Sequence, residues 1–262
     1  VIDGGTRLVC RDGVSFRVSA GSHDAFWDRY ESGAWEPRTL ALLERFAGRG
    51  ARLLDVGAWI GPTTLHAAAR GAHVLAFEPD PMAFAELSAN LALNPGLAAR
   101  VTAEEAALWT TDGKLTLFAR QWGDSETSVL PEIERKGAHR RLGESVIVLA
   151  RAARDVFARF ASAGGGLVKI DVEGAEYEIV PDAAPALAGH DVALLVSLHP
   201  QNIGADRADP AERHALRAAR STALFAAMAG FSPRRPGCDA AIEAHDGVVS
   251  GDVLFVPAPE HD

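Results

Sequence analysis

The sequence predicts an α/β fold: a buried, mostly parallel sheet with helices on both faces. Three observations predict it. Short, near-continuous apolar runs recur along the chain, as in "ARLLDVG", "HVLAFEPD", "LVKIDVEG" and "VALLVSLHP". Helical segments separate them, and strands without polar alternation belong to sheets covered on both sides. Polar or acidic residues follow the runs, at the edge where open parallel sheets bind ligands.

The elements follow in order. "RLVCRDGVSFRV" reads as a hairpin turning at Asp12-Gly13, and the stretch after it as helices broken near Gly33 and Pro37, with Leu40, Leu43 and Phe46 on one face. Residues 1–50 are therefore expected to form a hairpin and helical cover on a main domain, 51–262. That domain opens with a strand at 51–57 and a helix "PTTLHAAARG" ending at Gly71. A strand at 73–80 leads into a helix opened by Asp80-Pro81. One strand is expected within 99–108, two more at 167–174 and 192–200, and a last one at 252–257 after a long helix from Pro210 to Ala229. The stretch "LWTTDGKLTLFARQWGDSETSVLPE" interrupts the alternation and reads as an inserted hairpin and polar loop near the mouth of a site.

Lys plus Arg number 26 against 35 Asp plus Glu, a formal net charge of −9, which disfavours nucleic acid as a partner. No apolar run reaches the roughly 18 residues of a membrane span, and no signal peptide is visible. Cys10 and Cys238 lack metal or redox spacing and read as reduced thiols of a cytoplasmic protein. Self-association into a homo-oligomer stays open.

The residues at the strand ends are Asp55, Gly57, Glu78, Glu104, Glu105, Asp171, Glu173 and His199. Glu78 follows Asp55 by 23 residues, where an acidic side chain accepts from both ribose hydroxyls. A nucleoside is indicated, and both NAD and S-adenosylmethionine qualify. The turn "DVGAWIGPTT" favours the second. Trp59 stands where the middle glycine of a dinucleotide turn would, and Pro62 supplies no amide hydrogen for a pyrophosphate. Gly57 and Gly61 would let a phosphate-free ligand approach the backbone. An NAD-linked oxidoreductase and a non-catalytic nucleoside-binding module remain the competing readings.

"LLDVGAWIGPTTLHAAARGAHVLAFEPDP", "LVKIDVEGAEYEIV", "SLHP" and "DVLFVP", in this order, resemble the FkbM family of S-adenosylmethionine-dependent methyltransferases. The resemblance implies a Rossmann-like class I methyltransferase fold, with a seven-stranded sheet whose last strand is antiparallel. It implies O-methylation of a hydroxyl on a sugar or secondary metabolite, with N-methylation of an amino sugar or aminocyclitol as the alternative. It carries cofactor contacts to Glu36 beside Trp35, to Asp55, Gly57, Ala58, Trp59 and Gly61, to Glu78 and Pro79, to Glu105 and Ala106, and to Asp171. Family members commonly have a small polar residue, often Asn, where this chain has Trp59.

An alcohol must lose its proton as it attacks the sulfonium methyl, so a base is wanted. Asp171 and His199 are the candidates, and Lys169 reads as a structural partner. Magnesium on Asp171, Glu173 and Glu176 is the less favoured alternative, because "EGAE" also reads as a helix start. The acceptor is expected to be a small molecule, and Trp122 is a candidate to stack on a sugar ring.

Overall fold

The computed structural model describes all residues except 1–4, 22, 47–49, 136, 239, 241, 243 and 259–262. The boundary expected at residue 50 adjoins 47–49, which lie outside the described residues.

A seven-stranded sheet forms the centre. Strands β1 (Thr6–Arg11) and β2 (Val14–Ser19) precede it as a hairpin, with Asp12 and Gly13 both at positive φ in the two-residue turn. Helices α1 (Asp24–Glu31) and α2 (Pro37–Phe46) follow. The main sheet then begins with β3 (Arg52–Val56), α3 (Pro62–Ala69), β4 (His73–Phe77), α4 (Pro81–Ala92), the short α5 (Pro95–Ala98) and β5 (Val101–Glu104). After an inserted segment come α6 (Ala153–Ser162), β11 (Gly166–Ile170), α7 (Glu176–Ala183), β12 (Val192–Leu198), α8 (Pro210–Ala227), β13 (Phe231–Arg234) and β14 (Gly251–Pro257). The sheet order is β13-β14-β12-β11-β3-β4-β5. The last strand, β14, runs antiparallel to both neighbours, and β3, β4, β5, β11 and β12 pair in parallel. The chain thus has the class I methyltransferase architecture that the resemblance implies.

The insertion is more elaborate than a hairpin. It holds β6 (Ala107–Trp109), β7 (Gly113–Ala119), β8 (Glu132–Arg135), β9 (Ala138–Arg141) and β10 (Glu144–Ala152). The run expected as one strand over 99–108 is cut at Glu104–Ala106, where the Ala106 amide turns back to the Glu104 carbonyl, so β5 and β6 belong to different sheets. The Asp112-Gly113 turn does not join paired strands either. β10 lies between β6 and β7, and Asp112 accepts from the Ala152 amide at its end.

The cover is sewn to the sheet. Val9, Phe16, Val18, Trp27 and Tyr30 share one buried cluster with Leu53, Ile60 and Leu65. The Tyr30 hydroxyl lies 2.6 Å from His66 Nδ1. Asn90 accepts from the Ser19 amide and donates to the Ile60 carbonyl, tying the hairpin to α4 and to the turn after β3. Among the described residues no helix is long and apolar enough to cross a membrane, and both cysteines are free.

Candidate active site

A cavity of about 480 Å³ opens where β3, β4, β11 and β12 end. That volume is in the range of small-molecule sites. Of the residues expected to bind cofactor or catalyse, Glu36, Gly57, Ala58, Trp59, Glu78, Pro79, Ala106, Asp171 and His199 line it.

Three do not. Asp55 is fully buried beneath the cavity, accepting from Thr64 Oγ1 at 2.7 Å and facing Lys169 Nζ at 3.5 Å. Gly61 caps α3 at φ 96°, and a Cβ there would meet Leu87 Cδ1 at 2.6 Å, so its glycine serves packing between α3 and α4. Glu105 is exposed, and Ala106 supplies the wall. The turn after β5 alternates them, so only one faces in.

Gly57 is required by a close approach of strands. A Cβ there would stand 2.0 Å from the Asp171 carbonyl oxygen. This contact holds the ends of β3 and β11 together and sets Asp171 beside the glycine turn.

Four of the turn's amides are already taken. Those of Gly57 and Ala58 donate to the Phe77 carbonyl, at 3.0 and 3.1 Å, and that of Gly61 to the Ala58 carbonyl at 2.9 Å. The Trp59 amide donates to Glu78 Oε2 at 2.7 Å. Glu78 Oε1 accepts from the Asp80 amide at 2.8 Å. Each Glu78 oxygen keeps a further lone pair for a ligand. Burial pushes the Glu78 carboxyl up to about 7, against the pull of those two amides.

Trp59 adopts φ 50°, in the left-handed region that favours Gly or Asn. Its indole nitrogen donates to the Gly123 carbonyl at 2.9 Å, and its ring packs edge-on to Phe26 and His23. The Gly123 amide donates to Asp80. One side chain therefore joins the glycine turn after β3, the cover and the inserted loop. Trp59→Ala is expected to weaken cofactor binding, because the wall loses both its ring and its anchor to Gly123. Calorimetry with S-adenosylmethionine measures this, and unchanged affinity would leave Trp59 as packing alone.

The far wall carries the remaining charges. Glu36 sits at φ 36° with Oε2 buried and without a hydrogen-bond partner. Burial first, and then Asp171, pushes its carboxyl up to about 7. Lys169 lies 3.7 Å from Asp171 Oδ2. Burial alone would lower the Lys169 pKa, but Asp55, Asp171 and Glu36 together raise it, so it stays charged. His199 Nε2 lies 3.7 Å from both Asp171 Oδ1 and Glu173 Oε1, and Nδ1 lies 3.3 Å from Glu176 Oε1. Burial disfavours its charge, but Glu176, Glu173 and Asp171 outweigh that and raise it to about 10. These carboxylates favour the protonated imidazole in the free protein, so His199 is a weaker proton acceptor there than a free imidazole.

Glu176 is not available to a metal. It is fully buried, and its carboxylate accepts from the amides of Gly174 at 2.8 Å and His199 at 2.7 Å. Trp122 packs on the small sheet with Leu115 and Val129 and does not line the cavity. The polar loop does line it, through Asp124, Ser125, Thr127 and Ser128.

Sequence reasoning missed Arg135, Gln201 and Asp252 in the lining. Asp252 had a readable signal. It begins the antiparallel strand, whose start lies at the edge where the parallel strands end, and it accepts from Ser197 Oγ at 2.8 Å.

Residues 55–219, more than half of the chain, match the model of the Methyltransferase FkbM domain. No curated protein sequence matches. Among solved structures, the chain is similar to a methyltransferase FkbM from Methylobacillus flagellatus KT, at 14% identity and TM-score 0.44, covering 80% of this chain and 44% of that one. The chain thus spans less than half of that protein's length. It is similar to a SAM-dependent methyltransferase from Agrobacterium tumefaciens (15% identity, TM-score 0.43, 99% and 72% covered). It is also similar to magnesium protoporphyrin IX methyltransferase from Synechocystis PCC 6803 with bound SAM (13% identity, TM-score 0.41, 92% and 87% covered).

Proposed function

The chain belongs to the FkbM methyltransferase domain family, and on that premise we propose that it transfers the methyl group of S-adenosylmethionine to a hydroxyl of a small polar acceptor, a sugar or secondary metabolite. The observation that carries the cofactor assignment is the occupied turn. With the amides of Gly57, Ala58, Trp59 and Gly61 engaged inside the protein, none of the four is free for a pyrophosphate. A nucleoside without phosphates meets no such demand.

Glu78 takes the ribose hydroxyls, and Ala106 and Pro79 bound the adenine. Glu36, with its partnerless buried oxygen, takes the ammonium of the methionine end. Transfer is an in-line displacement: the acceptor oxygen forms a bond to the methyl carbon as the carbon–sulfur bond breaks. The acceptor proton goes to Asp171. The loop from Asp124 to Ser128, with Arg135 and Gln201, offers the acceptor polar partners and supports a hydroxyl-rich substrate.

Calorimetry with S-adenosylmethionine against NAD tests the reading, and binding of NAD alone would overturn it. The affinity should also depend on pH. A Glu78 carboxyl that titrates near 7 in the free protein must ionise to serve as a double acceptor, so binding releases a proton. Affinity then rises with pH through the window below about 7, by at most tenfold per unit for each carboxyl that must ionise, Glu78 and likewise Glu36, and levels off above it. A flat profile from pH 5.5 to 8 would remove Glu78 from the ribose.

A further inference from the structure

We infer that Asp171, Glu173 and His199 form a binding site for a divalent cation at the acceptor end of the cavity. One ligand atom from each lies within 4.8 Å of the others. The facing atoms are Asp171 Oδ1, Glu173 Oε1 and His199 Nε2, with Nε2 at 3.7 Å from each oxygen. At 3.7 Å the ring nitrogen is beyond hydrogen-bond reach of either carboxylate, although it points between them. An ion with bonds of about 2.1 Å holds neighbouring ligand atoms about 3.0–3.4 Å apart, so the two nitrogen–oxygen distances need contract by only a few tenths of an ångström to admit it.

The other ring nitrogen supplies independent support. His199 Nδ1 is buried and has no hydrogen-bond partner, although Glu176 Oε1 stands 3.3 Å away. Nε2 meets its two carboxylates only at 3.7 Å, and an ion there would displace the proton that they favour on the ring. A small shift of the ring toward an ion at Nε2 would align Nδ1–H on Glu176, which is the arrangement of metal-bound histidines.

Each ligand also has its own backing. Glu176 faces His199, Asn202 Nδ2 donates to Glu173 Oε2 at 3.0 Å, and Lys169 Nζ stands 3.7 Å from Asp171 Oδ2. Asp171 Oδ1 and His199 Nε2, which face the centre, are therefore not the atoms that these backing groups hold. Arg135 Nη1 donates to Glu173 Oε1 at 3.5 Å while its Nε meets Glu126 at 3.1 Å, so an ion at Glu173 would displace the longer of these two contacts. Two carboxylates, one imidazole and open positions on a wet cavity suit a six-coordinate ion such as Mn2+ or Mg2+.

The open positions face the space assigned to the acceptor. An ion there binds the attacking hydroxyl and lowers its pKa, so the ion and Asp171 act on the same proton. That use rests on the methyltransferase reading, whereas binding of the ion does not.

The test is a titration of the full chain with Mn2+, followed by electron paramagnetic resonance at pH 7.5. One Mn2+ per chain is expected, with 14N coupling from the imidazole and competition by Mg2+. Asp171→Asn and Glu173→Gln should each weaken binding at least tenfold, and His199→Ala should also remove the nitrogen coupling. Stoichiometric Mn2+ without nitrogen coupling, equal affinity in His199→Ala, or no binding at millimolar Mn2+ would each overturn the site. Mn2+ bound as expected in a protein that transfers no methyl group would leave the site standing and sink the enzymatic reading.

Discussion

Asp171→Asn is expected to keep S-adenosylmethionine affinity within a few-fold and to lower methyl transfer by about 10²–10⁴-fold, the range for loss of a proton acceptor. The substitution conserves shape. The backbone amide that ties this residue to the Val56 carbonyl at 3.0 Å remains, so the junction of β3 and β11 beside Gly57 should persist. Lys169 keeps Asp55 as its counter-ion, so no buried cation is stranded. What changes is that the side chain can no longer take a proton and that the inferred cation loses one carboxylate ligand. His199 is not expected to replace it, because Glu176 and Glu173 still favour its protonated form. Single-turnover transfer from labelled cofactor, alongside calorimetry, separates the steps. A rate within threefold of the parent protein would acquit Asp171. Joint loss of binding and rate would make it a cofactor-positioning residue.

Six strands of the large sheet were legible because they are short, mostly apolar and bounded by turn signals, and because neighbours in sequence are neighbours in space for β3, β4 and β5; the edge strand β13 was not, because its four residues include Pro233 and Arg234 and carry no apolar run. The inserted sheet was not. β10 pairs in parallel with β6 and antiparallel with β7, across 34 and 24 intervening residues, and no local pattern encodes that choice of partner. At the site, residue types were legible and directions were not. "DVGAWIG" announces a ligand turn, yet Asp55 points into the protein to meet Lys169, and Gly61 makes room for Leu87. The glycine that must be glycine for the site is Gly57, and the reason is a carbonyl from β11, more than a hundred residues away in sequence. The absence of a pyrophosphate cradle was read from Pro62. The structure supplies a stronger reason, because the turn's amides are bonded to Phe77, Ala58 and Glu78.

Lys169→Met is expected to destabilise the fold by about 3–5 kcal/mol at pH 7, the cost of removing one member of a buried ion pair. Asp55 is fully buried, and Thr64 and Lys169 are its only partners among the interactions of the described residues. Burial already raises its pKa, and Lys169 is the largest influence pulling it back down. Without the lysine the folded-state pKa rises further above the unfolded value of about 3.9. Between those two values the folded chain binds a proton that the unfolded chain does not, so stability falls as pH rises through that window. The variant should therefore come closest to the parent at about pH 4–5 and lag most at neutral pH. Denaturant unfolding at both pH values measures this, and a loss independent of pH would mean that Asp55 is not the stranded charge. Asp55→Asn combined with Lys169→Met supplies the decisive comparison. The double variant keeps an acceptor for Thr64 and buries no unpaired carboxylate, so it should recover much of the stability at neutral pH. Asp171 would still lack its lysine there, and cofactor binding and transfer would report whether Lys169 also sets the Asp171 side chain in place.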